Sequence, residues 1–525
     1  MEISSPSGLW KDYDVTAAPL NERALTEKNI NGVRVREYYF DGHSASDGKV
    51  RAFIRISENP DTKRVLLYMP ANSDDPDEIP EYFLKAGYTV AVLDYLGQSE
   101  TSARFTLYPK SISNCNSRGV QQFNAPSDAF KSRWYIWTCI ARRAVHFLRK
   151  LYPESNMFAL GKGLGGSTVY KLATFNDGLI ACATMLNILP TIRGSGNQLI
   201  NYRAALDNTA YASLCKIPLF MAISSNDEDK SFDEMSELAG ITSSLESFRI
   251  VERAFSKGIR VTYNQCEHFF TAKSTNAPLL PIPIIAPSNS NNKLYFNITL
   301  DDAENRAPYD EVRFYCAFRV ENPMHRNWTN VELVSMGAGK YLAHVFVLDS
   351  DKPIYVFAAV SDNDGNVMSS ELITVIPKTL GLKAQIPLSS RRRLIYESSM
   401  GKDLWAAPRG GNLFMKSGPF GIDGITSDCF SLATFKPSDF LYKVDEDSLL
   451  QIIINGKPQK LKLSVVDESG VFSCELDLTD PNDWTKFTLS PKNLMNERHL
   501  SSWKNVMVFI LEGTDEFLVS SVIWV

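Results

Sequence analysis

The sequence predicts an α/β domain built on a mainly parallel sheet, followed by two smaller all-β domains. Three observations carry that expectation. Over the first 275 residues short apolar runs alternate with stretches of helical periodicity, the pattern of a sheet covered on both faces. Positions 277–287 then hold four prolines in eleven residues (Pro278, Pro281, Pro283 and Pro287) and lead into Ser288-Asn289-Ser290-Asn291-Asn292, a composition that cannot extend a helix or a central strand. Beyond it short β-rich runs are separated by turns. The boundaries read from this are 1–277, 288–377 and 388–525, with a second linker at 377–387.

The first domain opens with runs at 36–40 and 50–56 around the turn-rich 41–48, read as a hairpin. Runs at 65–69 and 89–93 are β-branched and Leu-rich, as buried central strands are. Between them 79–86 reads as a helix stopped at Gly87. The stretch 129–151 keeps Trp134, Ile136, Trp137, Ile140, Ala141, Ala144, Val145 and Leu148 near helical spacing and ends before Pro153. Further strands are expected at 157–160, 219–223 and 259–263, with helices after the first two. In the second domain strands are expected at 293–300, 312–320, 341–348, 354–361 and 371–376, with Asp362–Asn366 a turn rather than a calcium loop, because the ligand spacing is absent. Six further strand-like runs between 449 and 525 suggest a jelly-roll-like sandwich.

Composition narrows the function. The 525 residues correspond to about three domains at the usual size. Lys and Arg number 55 against 60 Asp and Glu, a net charge of −5, which argues against a chain that works by gripping nucleic acid. No apolar run reaches the roughly 18 residues of a membrane span. The start carries no basic, apolar leader, and eight scattered cysteines without a C-x-x-C pair suggest reduced thiols in the cytoplasm, with neither a metal centre nor a bound cofactor expected.

One segment looks like chemistry. Met157–Ser167 runs from a strand through Gly161, Gly163, Gly165 and Gly166 into a helix. Gly161, Gly163 and Gly166 match the dinucleotide fingerprint G-x-G-x-x-G, yet several βα elements precede it and Asp177 falls before the next apolar run rather than after it. The alternative is G-x-S-x-G, the sharp strand–turn–helix elbow that lifts a nucleophile above the sheet.

The neighbourhood resembles α/β hydrolases in order: an oxyanion strand at 65–70, a strand ending Asp94-Tyr95-Leu96-Gly97, the elbow, an acid-bearing strand ending Ser224-Ser225-Asn226-Asp227, and Cys266-Glu267-His268 where a histidine is delivered. Trp10, Pro19, Leu20 and the Leu206–Ala212 stretch are most similar to bacterial dienelactone-hydrolase and acetylxylan-esterase-like proteins. The resemblance implies a triad of Gly163, Asp227 and His268 in the order nucleophile, acid, base, with oxyanion donors at Leu164 and Ala71.

The departures matter as much. Gly163 has no side chain with which to attack a carbonyl, and the oxyanion loop reads Met69-Pro70-Ala71-Asn72-Ser73 instead of His-Gly. In serine hydrolases loss of the nucleophile costs on the order of a millionfold in turnover. Three readings follow: an impaired hydrolase-like protein that binds a small ester or glycan ligand; an active esterase in which His268 activates water or whose serine was replaced by Gly163; or a scaffold acting through its β domains. Asp229 is the rival acid. Cys266 is a candidate displaced nucleophile, and Ser167 reads as a helix-packing residue. Trp405, Trp484, Trp503 and Trp524, with Tyr396 and Tyr442, suggest a carbohydrate-binding face in the last domain.

Overall fold

The computed structural model describes residues 5–525 apart from 61, 72–77, 98–103, 117–123, 186–191, 193, 228–231, 302–305, 386–391, 446 and 468. Among the described residues the N-terminal region places nine strands in one sheet: β1 (Arg23–Ile30), β2 (Val33–Ala45), β3 (Gly48–Glu58), β4 (Arg64–Met69), β5 (Thr89–Asp94), β6 (Asn156–Lys162), β7 (Ala181–Met185), β8 (Leu219–Ser224) and β9 (Leu245–Val251). Their order is β1-β2-β3-β5-β4-β6-β7-β8-β9. The pairs from β1 to β5 across β2 and β3 are antiparallel, and every pair from β5 through β9 is parallel.

The helices are α1 (Pro6–Trp10), α2 (Ile79–Lys85), α3 (Arg133–Leu151), α4 (Leu164–Leu172), α5 (Asn197–Ala205), α6 (Phe232–Ile241) and α7 (Tyr263–Thr275). Strand alternation sorts them onto two faces. Val65, Leu67 and Met69 pack in one core with residues of α3, α4 and α6. Leu66 and Tyr68, on the opposite face, pack with residues of α2 and α7. Strands covered on both faces need apolar residues at consecutive positions, and β4, β7 and β8 are buried throughout or nearly so.

Three expectations differ. The strand expected at 259–263 is a 3₁₀ turn, Ser256–Thr262, running into α7. Cys266, Phe269 and Phe270 lie at helical spacing and are buried together, which outweighs the β-branched Val261 and Thr262. The strand that follows the acid is β9 instead. At the other end β2 and β3 extend through the 41–48 segment, with a bulge between Asp41 and His43. The Gly42-His43-Ser44 triplet is therefore strand, not turn.

The middle region comprises β10 (Pro283–Ser290), β11 (Lys293–Leu300), β12 (Glu311–Phe318), β13 (Thr329–Val331), β14 (Leu333–Gly337), β15 (Lys340–Val345), β16 (Ile354–Ser361), β17 (Val367–Ser369) and β18 (Ile373–Val375). One antiparallel sheet runs β10-β11-β15-β14 and a second runs β13-β12-β16-β17 with β18 beside β16. Phe296 and Ile298 of the first share a core with Phe314 and Val356 of the second. β10 occupies the second half of the proline-rich stretch. It is an edge strand, where a missing N–H does not break a ladder.

Residues 394–524 form two further antiparallel sheets around a separate core. Trp405, Trp503 and Trp524 are each at most 2 % exposed, and Tyr396 and Tyr442 are buried beside them. Trp484 is half-buried, its Nε1 donating to the Pro419 carbonyl at 3.0 Å. Trp405, Trp503, Trp524, Tyr396 and Tyr442 pack the interior, Trp503 Nε1 and Trp524 Nε1 donating to the carbonyls of Ser448 and Tyr442.

Candidate functional site

Parallel sheets of this kind bind ligands beyond the carboxyl ends of their strands. At the end of β6, Gly163 turns the chain sharply into α4 with φ +53° and ψ −120°, a conformation that side-chain-bearing residues rarely adopt. The flanking glycines are required by packing. A Cβ at Gly161 would stand 2.3 Å from the Gly165 carbonyl oxygen, and one at Gly165 would stand 2.2 Å from the Met69 carbonyl oxygen. The glycine pattern thus presses α4 against β4 and β6, the close approach that an elbow needs. Asp177, the acid weighed for a dinucleotide site, is held by two bonds from Arg142 at 2.7 and 2.9 Å.

The strand end with Asp94 also folds as the pattern suggests. Its carboxylate accepts from Gly97 N at 2.9 Å and Thr106 N at 2.8 Å, closing the turn after β5. Next to it the loop after β4 is fixed by Tyr95, whose hydroxyl donates to the Pro70 carbonyl at 2.7 Å.

This loop decides what the elbow can hold. A Cβ built on Gly163 would lie 2.9 Å from the Ala71 Cβ, closer than side-chain carbons approach one another, and 3.4 Å from its Cα. Ala71, an oxyanion candidate from the sequence, therefore lies against the space a nucleophile would enter. Leu164, the other candidate, is the first residue of α4 and is buried.

Asp227 lies just past β8 and is 2 % exposed, on the expected side of the sheet. The rival Asp229 lies outside the described residues. The loops around Asp227 are tied to one another: Asn226 N donates to Ala254 O at 3.1 Å, and Arg253 N donates to Ser225 Oγ at 2.8 Å. They are also tied to the middle region. Asn226 Nδ2 donates to the carbonyls of Pro323, Met324 and Arg326 at 3.4, 3.1 and 2.8 Å.

His268 is placed elsewhere. It is exposed on α7, on the α2 face of the sheet, and shares a shallow groove with Ser247, Gln265, Leu279, Leu280 and Met368. Ser247 pairs with Phe220 near the start of β8, whereas Val251 and Ser224 mark the carboxyl end. Four residues of strand are about 13 Å, so the imidazole sits toward the amino ends while Gly163 and Asp227 sit at the carboxyl ends. The loop that follows β9, Glu252 to Gly258, contains no histidine. The expected triad is therefore not assembled, because the segment carrying His268 is a helix after the last strand and not the loop at its end.

Sequence reasoning missed the seam around Asn226, whose three carbonyl partners bracket His325, a buried residue of the middle region. No local pattern signals it, since the pairing joins positions a hundred residues apart. Cys266 is fully buried, and burial with Glu267 beside it pushes its thiol well above the ordinary value, opposite to what a nucleophile needs. All eight cysteines are free thiols. Among the described residues no His, Cys, Asp or Glu cluster could hold a metal, and no helix is long and apolar enough to cross a membrane.

Comparison with known proteins yields structural likeness only. No protein-family model matches the chain. No curated protein matches it either. An acetyl xylan esterase from a Thermoanaerobacterium species aligns over 52 % of this chain and 95 % of its own at 12 % identity, with a TM-score of 0.40. An acetyl xylan esterase from a Paenibacillus species covers 49 % of this chain and 90 % of its own at 14 % identity and TM-score 0.38. A dienelactone hydrolase from Anabaena variabilis covers 48 % and 98 % at 10 % identity and TM-score 0.28.

Proposed function

We propose that this chain is a non-hydrolytic relative of the α/β hydrolases that works by binding, with two β-sandwich domains docked on its former catalytic loops. The observation that carries the reading is the Ala71 Cβ at 2.9 Å from where a side chain at position 163 would begin. A glycine alone would leave room for water or a substrate oxygen at the elbow. A methyl group pressed into that room supports loss of the attacking group together with the space for it. The docked loops point the same way. In a working hydrolase the acid and base loops must admit substrate, whereas here Asn226 and Glu252 spend their polar atoms on the middle region, Glu252 Oε1 accepting from Tyr315 Oη at 3.2 Å.

The test is Gly163→Ser in the full chain, assayed with p-nitrophenyl acetate alongside circular dichroism to confirm folding. The expected result is a folded variant with no burst and a rate at the buffer blank. A stoichiometric burst would show that the nucleophile pocket is intact and would overturn the reading.

A further inference from the structure

On the α3–α4–α6 face, a cavity of about 260 Å³ lies beneath α5 and the 3₁₀ segment Asn208–Leu214. That is several times the roughly 30 Å³ share of one water molecule. None of the elbow residues lines it. Its floor is built from Trp134 of α3, Ser167 and Lys171 of α4, and Asn208, which are 2, 1, 2 and 3 % exposed. Three polar atoms of these residues, Trp134 Nε1, Ser167 Oγ and Asn208 Nδ2, are buried without a hydrogen-bond partner among the described residues. Buried polar groups are normally satisfied, so a ligand that draws these three side chains toward the cavity would supply the partners they lack.

Lys171 orients the set. Its Nζ donates to Asn208 Oδ1 and to the Ser167 carbonyl, the latter at 3.3 Å, and lies 5.5 and 5.4 Å from the Trp134 and Tyr211 rings. An ammonium can only donate, which fixes the Asn208 amide with its NH₂ away from the lysine. Among the described residues two of the three Lys171 protons are used and one remains. The floor thus offers donors: the indole N–H, the amide NH₂ and the spare ammonium proton, with the serine hydroxyl able to rotate to either role. Such a surface matches a carboxylate.

The rim has the opposite character. Glu234 and Glu237 of α6 and Asp207 line it, with one guanidinium, Arg203. Burial, then the neighbouring Asp207, Asp233 and Glu237, raises the Glu234 carboxyl above its ordinary range, so the cluster repels itself. A cation between Glu234 and Glu237 would relieve that repulsion, whereas a phosphate-like dianion would add to it.

We propose that this cavity binds a small zwitterion of amino-acid size, its carboxylate on the Trp134, Asn208 and Lys171 donors and its ammonium toward Glu234 and Glu237. The site is independent of whether the elbow is catalytically silent.

Isothermal titration calorimetry of the full chain with individual free amino acids, acetate, ethylammonium and inorganic phosphate tests this. At least one amino acid is expected to bind saturably and more tightly than any of the three half-probes. Glu237→Gln, at the rim, is expected to weaken that amino acid roughly tenfold while the melting temperature of the unliganded protein does not fall, since the change also relieves the repulsion with Glu234. Ser167→Ala, in the floor, provides a second variant that removes one orphaned atom without adding bulk, and it should also weaken binding. Saturable binding of none of the amino acids overturns the proposal. So does acetate or phosphate binding as tightly as the best amino acid, or unchanged affinity in both variants.

Discussion

Gly163 carries a sharp backbone requirement, a positive φ with Ala71 against its open side. Gly163→Ala should therefore lower stability by about 1–3 kcal/mol, from the strained conformation and the displaced loop together, as measured by urea denaturation. A loss below a few tenths would show that the loop yields freely. Lys171 gives a pH signature. Burial lowers its pKa from the ordinary 10.5 to about 8, with Asp207 and Cys215 opposing. Between those values the unfolded chain binds more protons than the folded one, so this residue makes stability rise with pH from about 8 to about 10.5. Lys171→Met should flatten that rise, read from urea midpoints across the interval. At this scale the elbow was legible because glycine spacing reports backbone contact directly. Ser167 and Lys171 were not, since the cavity they line is completed by α5 and the Asn208 segment, whose approach no local pattern encodes.

Among the elements, the loop between β9 and α7 does the most joining. Phe255 enters an apolar cluster with Ala406, Ala433, Phe435, Val466 and Val508 of the C-terminal region, its ring 5.7 Å from that of Phe435. Glu252 meets the middle region through Tyr315. The free edge of β9 is covered as well: Ile250 N donates to Ser369 Oγ at 3.0 Å and Phe248 N to Met368 Sδ at 3.4 Å. An exposed edge strand invites pairing with another chain, and β17 side chains remove that hazard. Asn226→Ala would strip three carbonyls of their donor and should cost about 1–3 kcal/mol, seen as a lower urea midpoint. An unchanged midpoint would mean that this seam contributes nothing to holding the loops. The parallel core was readable from consecutive apolar runs. α7 was not, because Val261, Thr262 and Tyr263 imitate a strand start, and only the buried Cys266, Phe269 and Phe270 show the helical period.

In the whole molecule, the N-terminal and middle regions share one continuous core. Tyr315, Ala317, Trp328, Tyr355, Phe357 and Ala359 belong to the same buried cluster as the α3–α4–α6 face. Arg326, fully buried, holds Asp233 of α6 with both terminal guanidinium nitrogens and lies 3.5 Å from the Tyr355 ring centre. Gly240 leaves room for Glu371, whose carboxylate would stand 2.3 Å from a Cβ there. Scanning calorimetry should accordingly show these two regions melting in one transition. The C-terminal region, with its own core and a small contact around Phe255, should melt separately, and Phe255→Ser should widen the gap between the two transitions. The proline-rich stretch suggests a boundary in sequence, but nothing in it signals the depth of docking, because the residues that dock are ordinary strand residues until their partner is in place.

Turnover of p-nitrophenyl acetate by the unaltered full chain, measured beside Asp227→Asn, tests the central claim most directly. The account predicts that both run at the buffer blank. Hydrolysis by the unaltered chain that disappears in Asp227→Asn would contradict it.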